Sequence, residues 1–291
     1  MNQAVHRGII STIGSTPLVE LTGLLDGFPS RVFMKMERHN PGGSIEDRTA
    51  LSLVREVIRR GAGVPEGSLA VEICTPELAV SLAQVCRYYG FDFLALLEGG
   101  APDPFPALLT AYGARYEALA PGTARERMAE ITATVAQAFR LSTSAAPVWP
   151  QDDTDTMREI AEALEDRVDL VLCDLTYPRT LGGCAEFARI QGLGTTVVGV
   201  SRGPGPVPTG PLSIPFGVDD VVRVDQKDAA LMRERLLSAE GLLADSTAGA
   251  AAAALLQLAH RIPAGSNCVI VAPAGGDRCP ENFEHKDATP C

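Results

Sequence analysis

The stretch "KMERHNPGGSIEDR", residues 35–48, decides the fold. It leaves an apolar segment, "RVFMKME" (31–37), passes through a proline and paired glycines, and enters "DRTALSLVREVIRRG" (47–61), whose apolar residues fall at helical spacing. A strand, a glycine-rich turn and a helix therefore follow in close order. The helix is expected to stop at Gly61, as helices often stop on glycine. At the turn stands an acid, Glu46, whose presence there is the question the rest of the chain must answer.

Outward from this unit, strand-like and helix-like segments alternate along most of the chain. "GSLAVEIC" (67–74) reads as a strand and "TPELAVSLAQVCRYYG" (75–90) as a helix, with Thr75 as its cap and Pro76 where a first turn tolerates proline. "FDFLALLEG", "RYEAL", "TTVVGVSR" and "NCVIVAPAGG" read as further strands. "VDLVLCDL" is apolar throughout, as a strand buried on both faces would be. Helices are expected at "DPFPALLTAYGA", "TARERMAEITATVAQAF", "REIAEALED", "QKDAALMRERLLSAEG" and "STAGAAAAALLQLAHRI". The polar, proline-bearing stretch 142–156 breaks this rhythm and reads as a crossing between two lobes, and "GPGPVPTGP" (203–211) reads as loop. The alternation implies parallel sheets covered by helices.

Composition narrows the function classes. The chain has 291 residues and a formal net charge of -11, which disfavours nucleic acid or an anionic membrane surface as partner. The seven cysteines include no closely spaced pair, and the four histidines, His6, His39, His260 and His285, show no metal-ligand spacing, so no metal is expected. No apolar run approaches the roughly 20 residues of a membrane span, and nothing at the N-terminus reads as a secretory signal. Reduced thiols and a cytoplasmic location are the expectation.

Four ordered motifs carry a resemblance to a known family. "IGSTPLVEL" (13–21), "KMERHNPGGSIEDR" (35–48), "AEGLLADSTAGAA" (239–251) and "VIVAPAGGDR" (269–278) are similar to cysteine synthase and its fold-type-II relatives, which use pyridoxal phosphate (PLP) and share a tryptophan-synthase-beta-like architecture. The resemblance implies a two-lobed α/β fold: a smaller lobe of residues 38–148, a larger one of 1–37 plus 149–291, and a cleft between them. It also implies self-association as a dimer.

The same resemblance marks departures. The family's PLP-bearing lysine lies between "NPGGSI" and "DR", where this chain has Glu46; a carboxylate cannot condense with an aldehyde. The family's asparagine loop, which receives the substrate carboxylate, corresponds to "CTPELA" (74–79): Pro76 lacks an amide donor and Glu77 adds negative charge. The glycine-rich phosphate loop corresponds to "TYPRT" (176–180), and the serine that contacts the pyridine nitrogen corresponds to Ala274. The implied lining of the cleft is Asn40, Ser44, Glu46, Cys74, Thr75, Glu77, Asp174, Thr176, Tyr177, Arg179 and Ala274.

These departures lead to the expectation that PLP binding has been lost and no cofactor is used. The chain would then be a pseudoenzyme that works by binding a partner or pathway enzyme, as a homodimer or heteromer. The alternative is a PLP-independent enzyme on an amino-acid-like molecule, with Glu46 as general acid or base and Cys74, ahead of a helix, with a lowered thiol pKa; an ordinary PLP-dependent cysteine synthase ranks last.

Overall fold

The computed structural model describes residues 5–25, 27–60, 64–141, 155–203 and 217–278. The expected crossing at 142–156 lies almost wholly outside the described residues, as does most of the loop at 203–211. The chain divides into two compact units, Met1–Ile13 with Asn40–Val148, and Gly14–His39 with Trp149–Cys291. Residues up to Ile13 therefore belong to the first unit and not, as their place in the sequence suggests, with the second. The reason is packing: Ile10, 4% exposed, lies in the first unit's core among Val54, Leu82 and Val85.

The first unit is a four-stranded parallel sheet. Its strands are β3 (Leu69–Ile73), β4 (Asp92–Glu98), β5 (Arg115–Leu119) and β6 (Ala138–Arg140), in the order β5-β4-β3-β6. Alternate residues face opposite ways, as a pleat requires. Ala70, Phe93, Ala95 and Leu97 pack against α1 (Glu46–Arg59), α2 (Pro76–Tyr88) and α3 (Phe105–Ala111). Leu69, Val71, Leu94 and Leu96 pack against α4 (Ala124–Thr134). The expected long helix through residue 139 is shorter than its composition suggests. It ends at Thr134, Gln137 takes φ 60°, and Ala138–Arg140 instead pairs with β3. A ladder for the open edge of β3 outweighs the helix preference of those residues, since tertiary pairing overrides propensity.

The second unit holds a six-stranded sheet built from β1 (Leu18–Leu21), β2 (Arg31–Met36), β7 (Leu170–Asp174), β8 (Thr196–Arg202), β9 (Asp220–Val224) and β10 (Asn267–Ala272). Their order is β1-β2-β10-β7-β8-β9, parallel except for β1 against β2. β7 and β10 are buried along their whole length, which is why they read as continuous apolar runs. α5 (Asp155–Ala163) and α6 (Pro178–Gln191) pack together, and so do α7 (Gln226–Glu240) and α8 (Ser246–Leu258). The alanines of α8 let it lie close to α7 and the sheet. At Gly249 a Cβ would stand 2.4 Å from the Ala229 carbonyl oxygen, so only glycine fits. α6 and β9 gave no separate signal in the sequence: α6 begins on a proline directly after the strand, and β9 follows the proline-rich loop.

Candidate active site

The turn that decides the fold is held by a buried carboxylate. Gly43 N donates to Asn40 O at 2.8 Å, and Gly43 takes φ 86°, a conformation natural to glycine. Asp47, in the first turn of α1, accepts from the Gly42 amide and from Ser81 Oγ at 2.5 Å. The Asp47 carboxylate sits so close to Gly42 that a Cβ there would overlap it, at 2.2 Å from Oδ1. A carboxylate at a helix N-terminus is also favoured by the helix dipole. Asn40, Ser44, Asp47 and Ser81 are all buried. Glu46 is the first residue of α1; its amide faces Ser44 Oγ at 3.3 Å, and its side chain is half-buried.

Cys74 follows the last residue of β3, next to the start of α2. Its thiol contacts the Glu72 carbonyl at 3.8 Å. Its pKa is raised well above the usual thiol value, first by burial and then by the carboxylates of Glu72 and Glu46. The expected activation by a helix N-terminus is therefore reversed: burial and two nearby acids disfavour the thiolate. Thr75 caps α2 as expected, accepting from Leu78 N at 3.3 Å, with Pro76 in the first turn. Glu77 lies in that same first turn and is half-buried. Asn40, Ser44, Glu46, Cys74, Thr75 and Glu77 thus all belong to the first unit, where the Glu46 charge helps to raise the Cys74 thiol pKa.

The other expected residues belong to the second unit. Asp174 ends β7 and is 2% exposed. Its Oδ1 accepts from Thr176 N at 2.9 Å and Thr176 Oγ1 at 2.7 Å, and its Oδ2 accepts from Arg202 Nε at 2.7 Å. Arg202 also donates to Ser246 Oγ at 3.0 Å. Tyr177 is buried at the start of α6, and Arg179 is half-buried in the first turn of that helix. Ala274 is buried beside Gly275, which bridges to Ala244. Sequence reasoning missed Asp47, Ser81 and Glu72 in the first unit and Arg202, Asp245 and Ser246 in the second. For Arg202 a signal existed: it is the charged end of an otherwise apolar strand. For Ser81, inside a helical run, there was none.

No lysine occurs in residues 1–13 or 40–148, the whole of the first unit. Lys35, on β2, is 1% exposed and donates to Thr16 O and Glu159 Oε2, both at 2.6 Å. The donor set around residue 46 is one of carboxylates and amides, and it does not fit a PLP anchored there as an imine. Among the described residues no group of His, Cys, Asp and Glu is arranged to hold a metal, and no helix is long and apolar enough to cross a membrane.

Comparison with known proteins adds what geometry alone does not. The sequence profile of a family described as "Pyridoxal-phosphate dependent enzyme" matches residues 9–274. An N-(2-amino-2-carboxyethyl)-L-glutamate synthase from Ralstonia nicotianae is 29% identical over 299 aligned positions, covering 94% of this chain and 88% of that protein. The crystal structure of an O-ureido-L-serine synthase superimposes with a TM-score of 0.86 at 25% identity, covering 98% of each chain. A cysteine synthase from Entamoeba histolytica superimposes with a TM-score of 0.84 at 23% identity, covering 100% of this chain and 94% of that one. These findings overturn two expectations. The relatives are synthases, which contradicts the reading of the chain as a pseudoenzyme, and the family's cofactor is PLP, which contradicts the reading that no cofactor is used. Replaced contacts at a few positions weighed too heavily against a similarity that spans the chain.

Proposed function

The chain belongs to the pyridoxal-phosphate-dependent enzyme family, and from that premise we propose that it is a PLP-dependent amino-acid synthase that joins a 2-amino-2-carboxyethyl unit to a nucleophile. The names of two relatives describe products of that form, with the unit on the nitrogen of glutamate in one and on an oxygen that bears a ureido group in the other. The observation that carries the reading is the extent of the similarity: the family profile runs from residue 9 to residue 274, through both units.

Within this reading Glu46 takes the place of the family's lysine. PLP is then held by contacts other than an imine at residue 46. What this chain's own residues contribute is position. The Asp47–Ser81 pair fixes the turn that presents Glu46, and Asp174 fixes Thr176 and Arg202 at the carboxyl end of the central sheet. In open α/β sheets ligands bind at those carboxyl ends.

The test is turnover. The purified chain, supplied with PLP, O-acetyl-L-serine and L-glutamate, is assayed by mass spectrometry for the coupled amino acid. Product that requires both PLP and the chain supports the reading; its absence across a panel of nitrogen, oxygen and sulfur nucleophiles refutes it.

A further inference from the structure

Arg202 is the last residue of β8, and its guanidinium is fixed on two sides. Nε donates to Asp174 Oδ2 at 2.7 Å and Nη1 to Ser246 Oγ at 3.0 Å. Asp174 is itself saturated, since its other oxygen takes both the amide and the hydroxyl of Thr176. The second acid of the cluster, Asp245, is turned into α8, accepting from Ala248 N at 2.9 Å and Thr247 Oγ1 at 2.6 Å. Burial pushes its pKa upward, against the opposing pull of its hydrogen bonds and of Arg202. The Arg202 side chain keeps 33% of its surface open to solvent, and among the described residues Nη2 takes no partner.

An arginine on a flexible surface would lose rotamer entropy on binding; this one has already been oriented by a buried acid and a hydroxyl. The planar fork is a directional donor to a carboxylate or a phosphate. It lies where β7 and β8 end and α8 begins, beside a helix N-terminus that Asp245 caps through the Ala248 amide. We propose that Arg202 is an anchor for one anionic group, carboxylate or phosphate, on a molecule the protein binds. Asp174 and Ser246 are its positioning residues. The inference rests on the reading above for the identity of the ligands, but it concerns a different quantity, which is discrimination between an anion and its neutral counterpart.

Two matched pairs test it by calorimetric titration of the full chain. PLP against pyridoxal differs by a phosphate, and L-glutamate against L-glutamine differs by a carboxylate. The wild-type chain is expected to prefer the charged member of at least one pair by about tenfold or more, the size of a single charge-assisted contact. The pair that shows the preference names the source of the anion. Arg202→Lys is expected to keep part of the preference, and Ser246→Ala, which leaves the Arg202–Asp174 pair intact, to reduce it. Arg202→Gln is expected to abolish it, with the thermal melt reporting whether that variant folds. The proposal is overturned if the wild-type chain prefers neither charged member. It is also overturned if Arg202→Lys and Ser246→Ala, both folded, leave the preference unchanged. A chain without synthase turnover that still shows an Arg202-dependent preference would refute the proposed function and leave this inference standing.

Discussion

Replacing Asp47 with alanine tests the turn on which the first unit is built. The carboxylate is buried, and it holds the Gly42 amide and the Ser81 hydroxyl, which are buried as well. Removing it leaves two buried donors without that acceptor. At about 1–3 kcal/mol for each such donor, and with the first-turn charge of α1 also gone, the expected loss is about 3–4 kcal/mol. At about 2.1 cal/mol/K of unfolding entropy per residue, a 291-residue chain then melts lower by about 5–7 °C. Asp47→Asn keeps one acceptor oxygen but turns an N–H toward a donor, so it should lie between wild type and alanine. Circular dichroism melts of the three chains at one pH give the comparison. An alanine variant that melts within about 1 °C of wild type would show that the Asp47 network is not what holds this turn.

Three further outcomes are expected. Asp245→Asn should melt at or above wild type near neutral pH. Burial raises the folded-state pKa of Asp245, so its favourable contribution exists at low pH and is lost as pH rises through that raised value; the variant's advantage should shrink on acidification, and an advantage that grew as pH fell would contradict this. Cys74 should react with iodoacetamide at neutral pH at least about tenfold more slowly than a free thiol, because burial, Glu72 and Glu46 all oppose the thiolate; peptide mapping after timed labelling reads this, and rapid labelling of the folded chain would be evidence against it. Glu46→Lys, given PLP, should develop the visible Schiff-base band that wild type lacks, and a silent spectrum from a folded variant with bound PLP would remove residue 46 from the cofactor's reach.

Much of the fold could be read from local patterns because a parallel sheet buries both faces of its central strands. "VDLVLCDL" and "NCVIVAPAGG" announce themselves as β7 and β10 for that reason. Signals failed where tertiary pairing overrode local preference. "AQAF" has a helical composition but supplies β6, since the open edge of β3 takes it as a partner. The candidate site was legible at Glu46 and Asp174, which stand at the ends of strongly patterned elements. It was not legible at Ser81, which meets Asp47 across 34 residues, and at Arg202 only the charge closing the strand showed, not the partner Ser246 44 residues on. The function was misread because the replacements at Glu46, Pro76, Glu77 and Ala274 outweighed, in that reading, a resemblance that spans the chain.

The most direct measurement is equilibrium dialysis of the chain against PLP, followed by borohydride reduction and intact-protein mass spectrometry. The account predicts that the chain retains PLP and that reduction fixes no pyridoxyl group to it, because residue 46 offers an acid where an amine would be needed. A chain that retains no PLP, or one that emerges from reduction with a stoichiometric pyridoxyl adduct, would contradict it.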